Sequence, residues 1–430
     1  MTRRLRDSTV GRSIIRNPDR MTARDRAAGH WSNFFLHIYP VKIRRHEVAF
    51  RYSWFLGVAS FTLFVSLVVS GIYLMFFYVP TPAAAYGNIQ TLQTQVAFGQ
   101  YFRNVHRWSA HLMVITVAAH MGRSFYLGAY KPPREYNWVI GVVLLVLTLL
   151  LSFTGYLLPW DQLAYWAVTV GTSMAAYVPV IGKAVSNLLL GGPQVGAATL
   201  LRFYVLHVVF IPAAVMLLIA VHLWRWRKDS MLDSGTKGVG AGDPDAAREQ
   251  PLVIGGKRIL GVVPGKPAAG ERKVPEEQDP VMVWPHLLVR HAVAALAVLF
   301  VILLLALAFD APLRSIANPI LTPNPEKAPW YFAGLQELLS HFHPTIAGVL
   351  VPMGIVVGAM ALPYIDRNPA RQPRLRKVAV ATFTIFLVAW VILTVIGFAF
   401  RGPNWSWVWP AYGPAGTSFD RLPPLPPQAR

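Results

Sequence analysis

The sequence predicts an all-α integral membrane protein, a bundle of four transmembrane helices followed by three further ones. Three observations predict it. Of 430 residues, 54% are hydrophobic and only 14% charged, a balance foreign to soluble domains. Seven apolar runs are each long enough to cross a hydrocarbon core of about 30 Å. Two of these runs carry histidines in pairs, 14 and 15 residues apart. An ionisable side chain inside a membrane is expensive and points to function.

In chain order, residues 1–50 form a basic, Arg-rich segment expected in the cytoplasm, with the aromatic stretch 31–39 lying along the membrane surface. Spans expected near 52–78, 105–126, 137–158 and 203–225 make residues 51–228 a four-helix domain. Residues 229–283, rich in Gly and Pro and mixed in charge, read as a cytoplasmic linker. Spans near 287–309, 346–364 and 378–400 make residues 284–401 a three-helix domain, and the Trp- and Pro-rich residues 402–430 a tail on the outer side without regular structure. Apolar pieces cut by Gly and Pro predict surface helices in 159–202, and 310–345 reads alike. Arg123, Lys131 and Arg134 fall on the same side as the basic segment, as do Arg367, Arg371, Arg374, Arg376 and Lys377. That side is the cytoplasm, so the N-terminus is inside and the C-terminus outside. The expected location is a bacterial cytoplasmic membrane, in contact with its lipid. The net charge of +20 is thus a topological signal, and no nucleic-acid partner is expected.

Residues 103–123 and 203–224 carry the chemistry. At roughly 100° and ~1.5 Å per helical residue, His106 and His120 lie about 40° apart around the axis and ~21 Å apart along it. His207 and His222 lie about 60° and ~22 Å apart. Two antiparallel helices therefore offer two opposed pairs: His106 with His207 near the outer face, His120 with His222 near the inner. Zinc would favour a compact tetrahedral set, whereas two-ligand axial coordination at two depths fits two haem irons. The lack of Cys excludes disulfides, thiolate-held iron–sulfur clusters and haem attached through thioethers. His111, about 140° round the helix from His106, is not counted as a ligand.

Glycine repeats the interval. Gly57 and Gly71 lie 14 residues apart in the first span, and Gly141 and Gly155 do so in the third. A large flat ring needs close backbone approach, which Gly permits, although small residues also let membrane helices touch. By depth, Gly71 and Gly155 go with the outer histidines, Gly57 and Gly141 with the inner. Arg103, Arg123 and Arg202 sit at the rims, where a guanidinium pairs haem propionates or snorkels to the interface. Pro212, between the two histidines of the fourth span, is expected to bend it.

The runs RNVHRWSAH, HMGRSFYLGAY, SFTGYLLPWDQLAYWAV and LRFYVLH strongly resemble cytochrome b of the quinol:cytochrome c/plastocyanin oxidoreductases. The resemblance is dense over residues 50–228. It is weaker over 284–410, which is similar to the C-terminal half, called subunit IV where the halves are separate. It implies two non-covalent b-type haems, with quinol oxidised near the outer face and quinone reduced near the inner. One electron passes to a Rieske iron–sulfur protein and the other through the haems, with protons released outside and taken up inside. It also implies a c-type cytochrome subunit and a homodimer within a multi-subunit complex, without which this chain is catalytically incomplete. By resemblance Gly155, Pro159, Trp160, Asp161, Trp330 and Tyr331 map to the outer quinol pocket.

Two departures stand out. Where the family carries Pro-Glu-Trp-Tyr, this chain reads Ala328-Pro329-Trp330-Tyr331. Proline cannot accept a proton, so the base work is expected to pass to another residue or to water, with Glu337, His341, His343 and Asp161 as the candidate residues. A lower-potential quinol such as menaquinol goes with that loss. The chloroplast-type relatives attach a further c-type haem through one Cys in the first span. Phe55 stands at about that position, so no covalent haem is expected. Two alternatives keep part of the pattern: a di-haem b anchor of another quinol-linked dehydrogenase, or a haem-free transporter.

Overall fold

The computed structural model describes residues 38–234, 253–254, 257–258 and 280–409. The expectations for the basic segment before residue 38, including 31–37, for most of the linker and for the tail beyond 409 fall outside the described residues.

Seven long helices occupy the expected spans: α1 (Leu56–Met75), α3 (Gly99–Tyr126), α4 (Glu135–Tyr156), α7 (Ala197–Asp229), α8 (Val283–Ala308), α10 (Thr345–Ile365) and α11 (Lys377–Ala399). All but α3 are long and apolar enough to cross a membrane by length and composition. Among the described residues, four shorter α-helices lie in the connections between the long ones: α2 (Ala85–Thr94), α5 (Gln162–Ala176), α6 (Gly182–Leu190) and α9 (Trp330–Leu339). Helices α5 and α6 occupy the connection 159–202. The connection 310–345 is largely irregular, with α9 as its helix. In the described part of the C-terminal tail, a 3₁₀ turn at Pro403–Trp405 and a backbone bridge from Arg401 to Trp407 supply the regularity that the sequence did not predict.

Pro212 acts through a change of helix type. Upstream of it, Leu206–Phe210 is a π turn, with the Ile211 amide donating to the Leu206 carbonyl. Proline offers no N–H to the carbonyl four residues back, and its ring crowds that carbonyl, so the register opens by one residue. The same occurs at Thr345–Leu350, upstream of Pro352.

The chain forms two compact units, residues 1–55 with 220–294, and residues 56–219 with 295–430. In the first, Lys42–Arg44 pairs antiparallel with Pro280–Met282. Tyr39 Oη lies 3.2 Å from His291 Nδ1, and Arg290 Nη1 donates to the Val48 carbonyl at 2.7 Å.

In the second unit α1 and α3 pack antiparallel. Leu63 and Phe64 of α1 and Val105 and Met113 of α3 share a core with Ile211, Val215, Ile302 and Ala306. Small hydroxyls hydrogen-bond across the seam, Ser66 Oγ with Ser109 Oγ at 3.0 Å and Ser60 Oγ to Thr116 Oγ1 at 3.1 Å. A second core lies under the loops at one end, where Leu157, Trp160, Val168, Leu200 and Phe203 are buried. At the other end Arg376 is buried, donating to the carbonyls of Phe125 and Tyr126 at 3.0 Å each. Beside it Lys131 pairs with Asp366 at 2.9 Å. These bonds tie the loop after α3 to the loop before α11.

Candidate functional site

His106 on α3 and His207 in the π turn of α7 face one another, ring centroids 6.2 Å apart and planes at 71°. Two metal–imidazole bonds of about 2 Å, plus about 1 Å from each nitrogen to its ring centre, require roughly this gap. The tautomers agree with it. Ser70 Oγ lies 3.0 Å from His106 Nδ1 and spends its own hydrogen on the Ser66 carbonyl at 2.7 Å. It therefore accepts from Nδ1–H and leaves Nε2 bare. His207 Nδ1 lies 3.1 Å from the Leu151 carbonyl and 3.3 Å from Thr154 Oγ1, whose hydrogen goes to the Leu150 carbonyl at 2.8 Å. A histidine fixed in this way through Nδ1 presents Nε2 as a ligand. The pair fits an axially coordinated haem iron.

The glycines meet the histidines directly. A Cβ on Gly155 would lie 2.5 Å from His207 Cε1, one on Gly71 3.2 Å from His106 Cε1, and one on Gly57 3.4 Å from His120 Cε1. The expectation of room for a flat ring is thus refined, since these three glycines form notches for imidazole edges. Fourteen residues up α1 answer fourteen down α3, the register of an antiparallel pair. Gly141 sits on α4 fourteen residues before Gly155. His222 belongs to the other unit, so its pairing with His120 stays as the sequence expectation.

Two of the rim arginines bond to loops. Arg103 is buried and donates through Nη1 to the Ala311 carbonyl and through Nη2 to that of Pro312 at 2.6 Å. Arg202 Nη1 donates to the Leu188 carbonyl and, at 3.2 Å, to that of Asn187. Both guanidiniums bond loop carbonyls with part of their five N–H donors, and pairing with propionates stays the expectation. Arg123 lies in the last turn of α3. Sequence reasoning passed over Arg107, whose buried Nε has no hydrogen-bond partner among the described residues. Its charge acts on Tyr156, Asp161 and Tyr331.

The residues mapped to the quinol pocket gather at this end. Asp161 caps α5, its Oδ1 accepting from the Ala164 amide at 2.9 Å and its Oδ2 from the Arg314 amide at 3.0 Å. Burial raises its pKa, and those two amides oppose the rise. Trp160 precedes it with φ of 52° and is buried. Trp330 Nε1 donates to His111 Nδ1 at 2.9 Å, and the two rings stack. Burial pushes the Tyr331 phenol up to about 12, with Arg107 opposing.

Glu337 does not sit there as a free base. It is 1% exposed, and its carboxylate accepts from Arg401 Nε at 3.0 Å, His341 Nε2 at 2.9 Å and Trp405 Nε1 at 3.2 Å. Burial would raise its pKa, yet Arg401 and His341 hold it below the usual carboxylate range. The expected role is therefore corrected to an anchor between α9 and the segment after α11. His343 is tied to its own turn, its Nδ1 accepting from the Thr345 amide at 3.3 Å. Glu326 was missed. Both its oxygens are sealed from solvent without a hydrogen-bond partner among the described residues. The available signal was its position, as the one acid between residues 311 and 336.

Residues 44–230 match the family model described as Cytochrome b/b6/petB, and residues 316–410 the one described as Cytochrome b(C-terminal)/b6/petD. Cytochrome b6 of Heliomicrobium gestii is 44% identical over 178 residues, 41% of this chain and 84% of that protein. The cytochrome bc complex cytochrome b subunit of Chlorobaculum thiosulfatiphilum is 32% identical over 371 residues, 83% of this chain and 78% of that one. The menaquinol:cytochrome c reductase cytochrome b subunit of Geobacillus thermodenitrificans is 41% identical over 204 residues, 47% and 90% of the two chains. A solved structure described as Hyperthermophilic respiratory Complex III shares the fold, with a TM-score of 0.65 and 24% identity, covering 80% of this chain and 84% of that one.

Proposed function

Because the chain belongs to the cytochrome b/b6 family, we propose that it is the cytochrome b subunit of a quinol-oxidising bc-type complex. Its work there is to pass electrons from quinol on the outer side to quinone on the inner side, coupled to proton translocation. The observation that carries this is the opposed pair His106 and His207, spaced for one iron with both Nε2 atoms bare.

A b-type haem at this position supplies reversible one-electron exchange. His106 and His207 would hold it through Nε2, while Ser70, Thr154 and the Leu151 carbonyl fix the imidazoles and raise their basicity. Gly71 and Gly155 admit the two rings. The apolar core of Leu63, Phe64, Val105 and Met113 excludes water, which keeps the site at low dielectric. A second non-covalent b haem is assigned to His120 with His222, and none is attached through thioether bonds. The quinol is menaquinol, the reductant in the name of the Geobacillus relative. A Rieske iron–sulfur protein and a c-type cytochrome take the other electron, and two copies of the chain form the core of the complex. The chain is an integral membrane protein of a bacterial cytoplasmic membrane, with its N-terminus inside and its C-terminus outside.

The test is haem content. The purified complex is expected to give a reduced-minus-oxidised b-type spectrum and two extractable haems per chain, with no haem stain on a denaturing gel. His207→Leu is expected to remove one of the two and leave the other. Full haem content and an unchanged spectrum in His207→Leu would refute the ligand assignment.

A further inference from the structure

The loop end of the second unit holds several titratable groups, and their hydrogen bonds separate them. Asp161 spends both oxygens on backbone amides. Glu337 is enclosed by Arg401, His341 and Trp405. Asp310 accepts from Asn104 Nδ2 at 2.8 Å. His111 uses its acceptor nitrogen on the Trp330 indole. Glu326 alone among these has both carboxylate oxygens buried and uncommitted.

Its backbone is held in place. Gln336 Nε2 donates to the Glu326 carbonyl at 2.7 Å, and Gln336 Oε1 accepts from the Ala328 amide at 2.7 Å. The loop is thereby clamped to α9, the helix that begins with Trp330 and Tyr331. The neighbouring Lys327 Nζ donates to the Phe398 carbonyl at 3.0 Å, so its ammonium is bonded elsewhere. The charged and titratable groups that act on Glu326 are Asp161 and Arg314, and Glu326 acts in turn on Tyr156. A buried carboxyl with two unused oxygens is costly to keep unless something bonds to it.

We propose that Glu326 is the carboxyl that exchanges a proton with a quinol hydroxyl bound beside Trp330 and Tyr331. This rests on the quinol-oxidising reading above. The quinol O–H bond breaks, its electron pair stays on the quinol oxygen, and the proton forms a new O–H bond on Glu326. The electrons leave to the one-electron acceptors named for the complex. Burial, with Asp161 adding and Arg314 opposing, pushes the Glu326 pKa up to about 9. The group therefore holds its proton at neutral pH and becomes an acceptor as pH rises. Quinol oxidation should climb with pH across that range.

The experiment uses the purified complex and a short-chain menaquinol analogue, following haem reduction by rapid mixing from pH 6 to 9. The wild type should show a rising limb. Glu326→Gln should retain its b-haem spectrum, react about 100-fold more slowly, and lose the limb. Glu326→Asp should be slowed less, with the limb kept but displaced. If Glu326→Gln fails to assemble with its haems, Glu326→Asp decides: an unchanged rate and limb overturns the assignment. A Glu326→Gln complex that matches the wild type in rate and slope overturns it while the quinol-oxidising reading stands. A wild-type complex that carries its haems but cannot be reduced by quinol overturns both.

Discussion

At the residue scale, the room left for the imidazoles of His106, His207 and His120 is set by the glycines that face them, and distances rank those glycines. A Cβ at Gly155 would meet the His207 ring at 2.5 Å, at Gly71 the His106 ring at 3.2 Å, and at Gly57 the His120 ring at 3.4 Å. The first requires the imidazole to move, the second requires a few tenths of an ångström, and the third is ordinary contact. Gly155→Ala is therefore expected to lose the haem between His106 and His207, Gly71→Ala to lower its occupancy, and Gly57→Ala to keep normal haem content. Haem-to-protein ratios of the three variants check the order, and equal ratios would refute it. The histidines were legible in the sequence because an ionisable group within an apolar run has no ordinary reason to be there. The partners of Arg103 and Glu337 were not legible. Arg103 meets carbonyls 208 and 209 positions away, and Glu337 meets an arginine 64 away. No local pattern marks such a pairing.

The unequal histidine intervals, 14 on α3 and 15 on α7, find their cause at the element scale. On straight helices the extra residue would turn one histidine by about 100°. The π turn Leu206–Phe210, just upstream of Pro212, holds one residue more than an α turn and is expected to absorb it. The interval could be read in the sequence, whereas the device behind it could not, because a π turn leaves no periodicity of its own. Deleting Val208 with Pro212→Ala is expected to give a regular α-helix that still presents His207 toward His106, with the b-haem spectrum largely kept. Deleting Ile115 from α3, which has no π turn to absorb the change, should turn the two ends of that helix against each other by about 100° and cost one haem. Difference spectra of the two deletions check this, and equal haem loss in both would show that the π turn does not absorb the residue.

At the scale of the whole molecule the question is how many times the chain crosses the membrane. Apolarity alone admits six of the long helices and passes over α3. Yet α3 is the longest single helix between α1 and α4, with 28 residues and so a length of about 42 Å. Its arginines lie at the ends, Arg103 and Arg107 at one and Arg123 at the other, and residues 108–122 carry no Asp, Glu, Lys or Arg. It also runs antiparallel to α1 with matched polar and small residues along the seam, Gly71 at His106, Ser66 at Ser109, Ser60 at Thr116 and Gly57 at His120. A helix engaged along a spanning partner over that distance spans with it, and its charges sit at its two ends, at one of which Arg103 is bonded to the Ala311 and Pro312 carbonyls. Seven crossings place the two termini on opposite sides; six would place them together. Reporter fusions near residues 134 and 369 are therefore expected to read as cytoplasmic, and fusions near 192, 318 and the C-terminus as external. A fusion at 134 that reads as external would remove α3 from the membrane. His106 and His120 could then no longer stand at two depths.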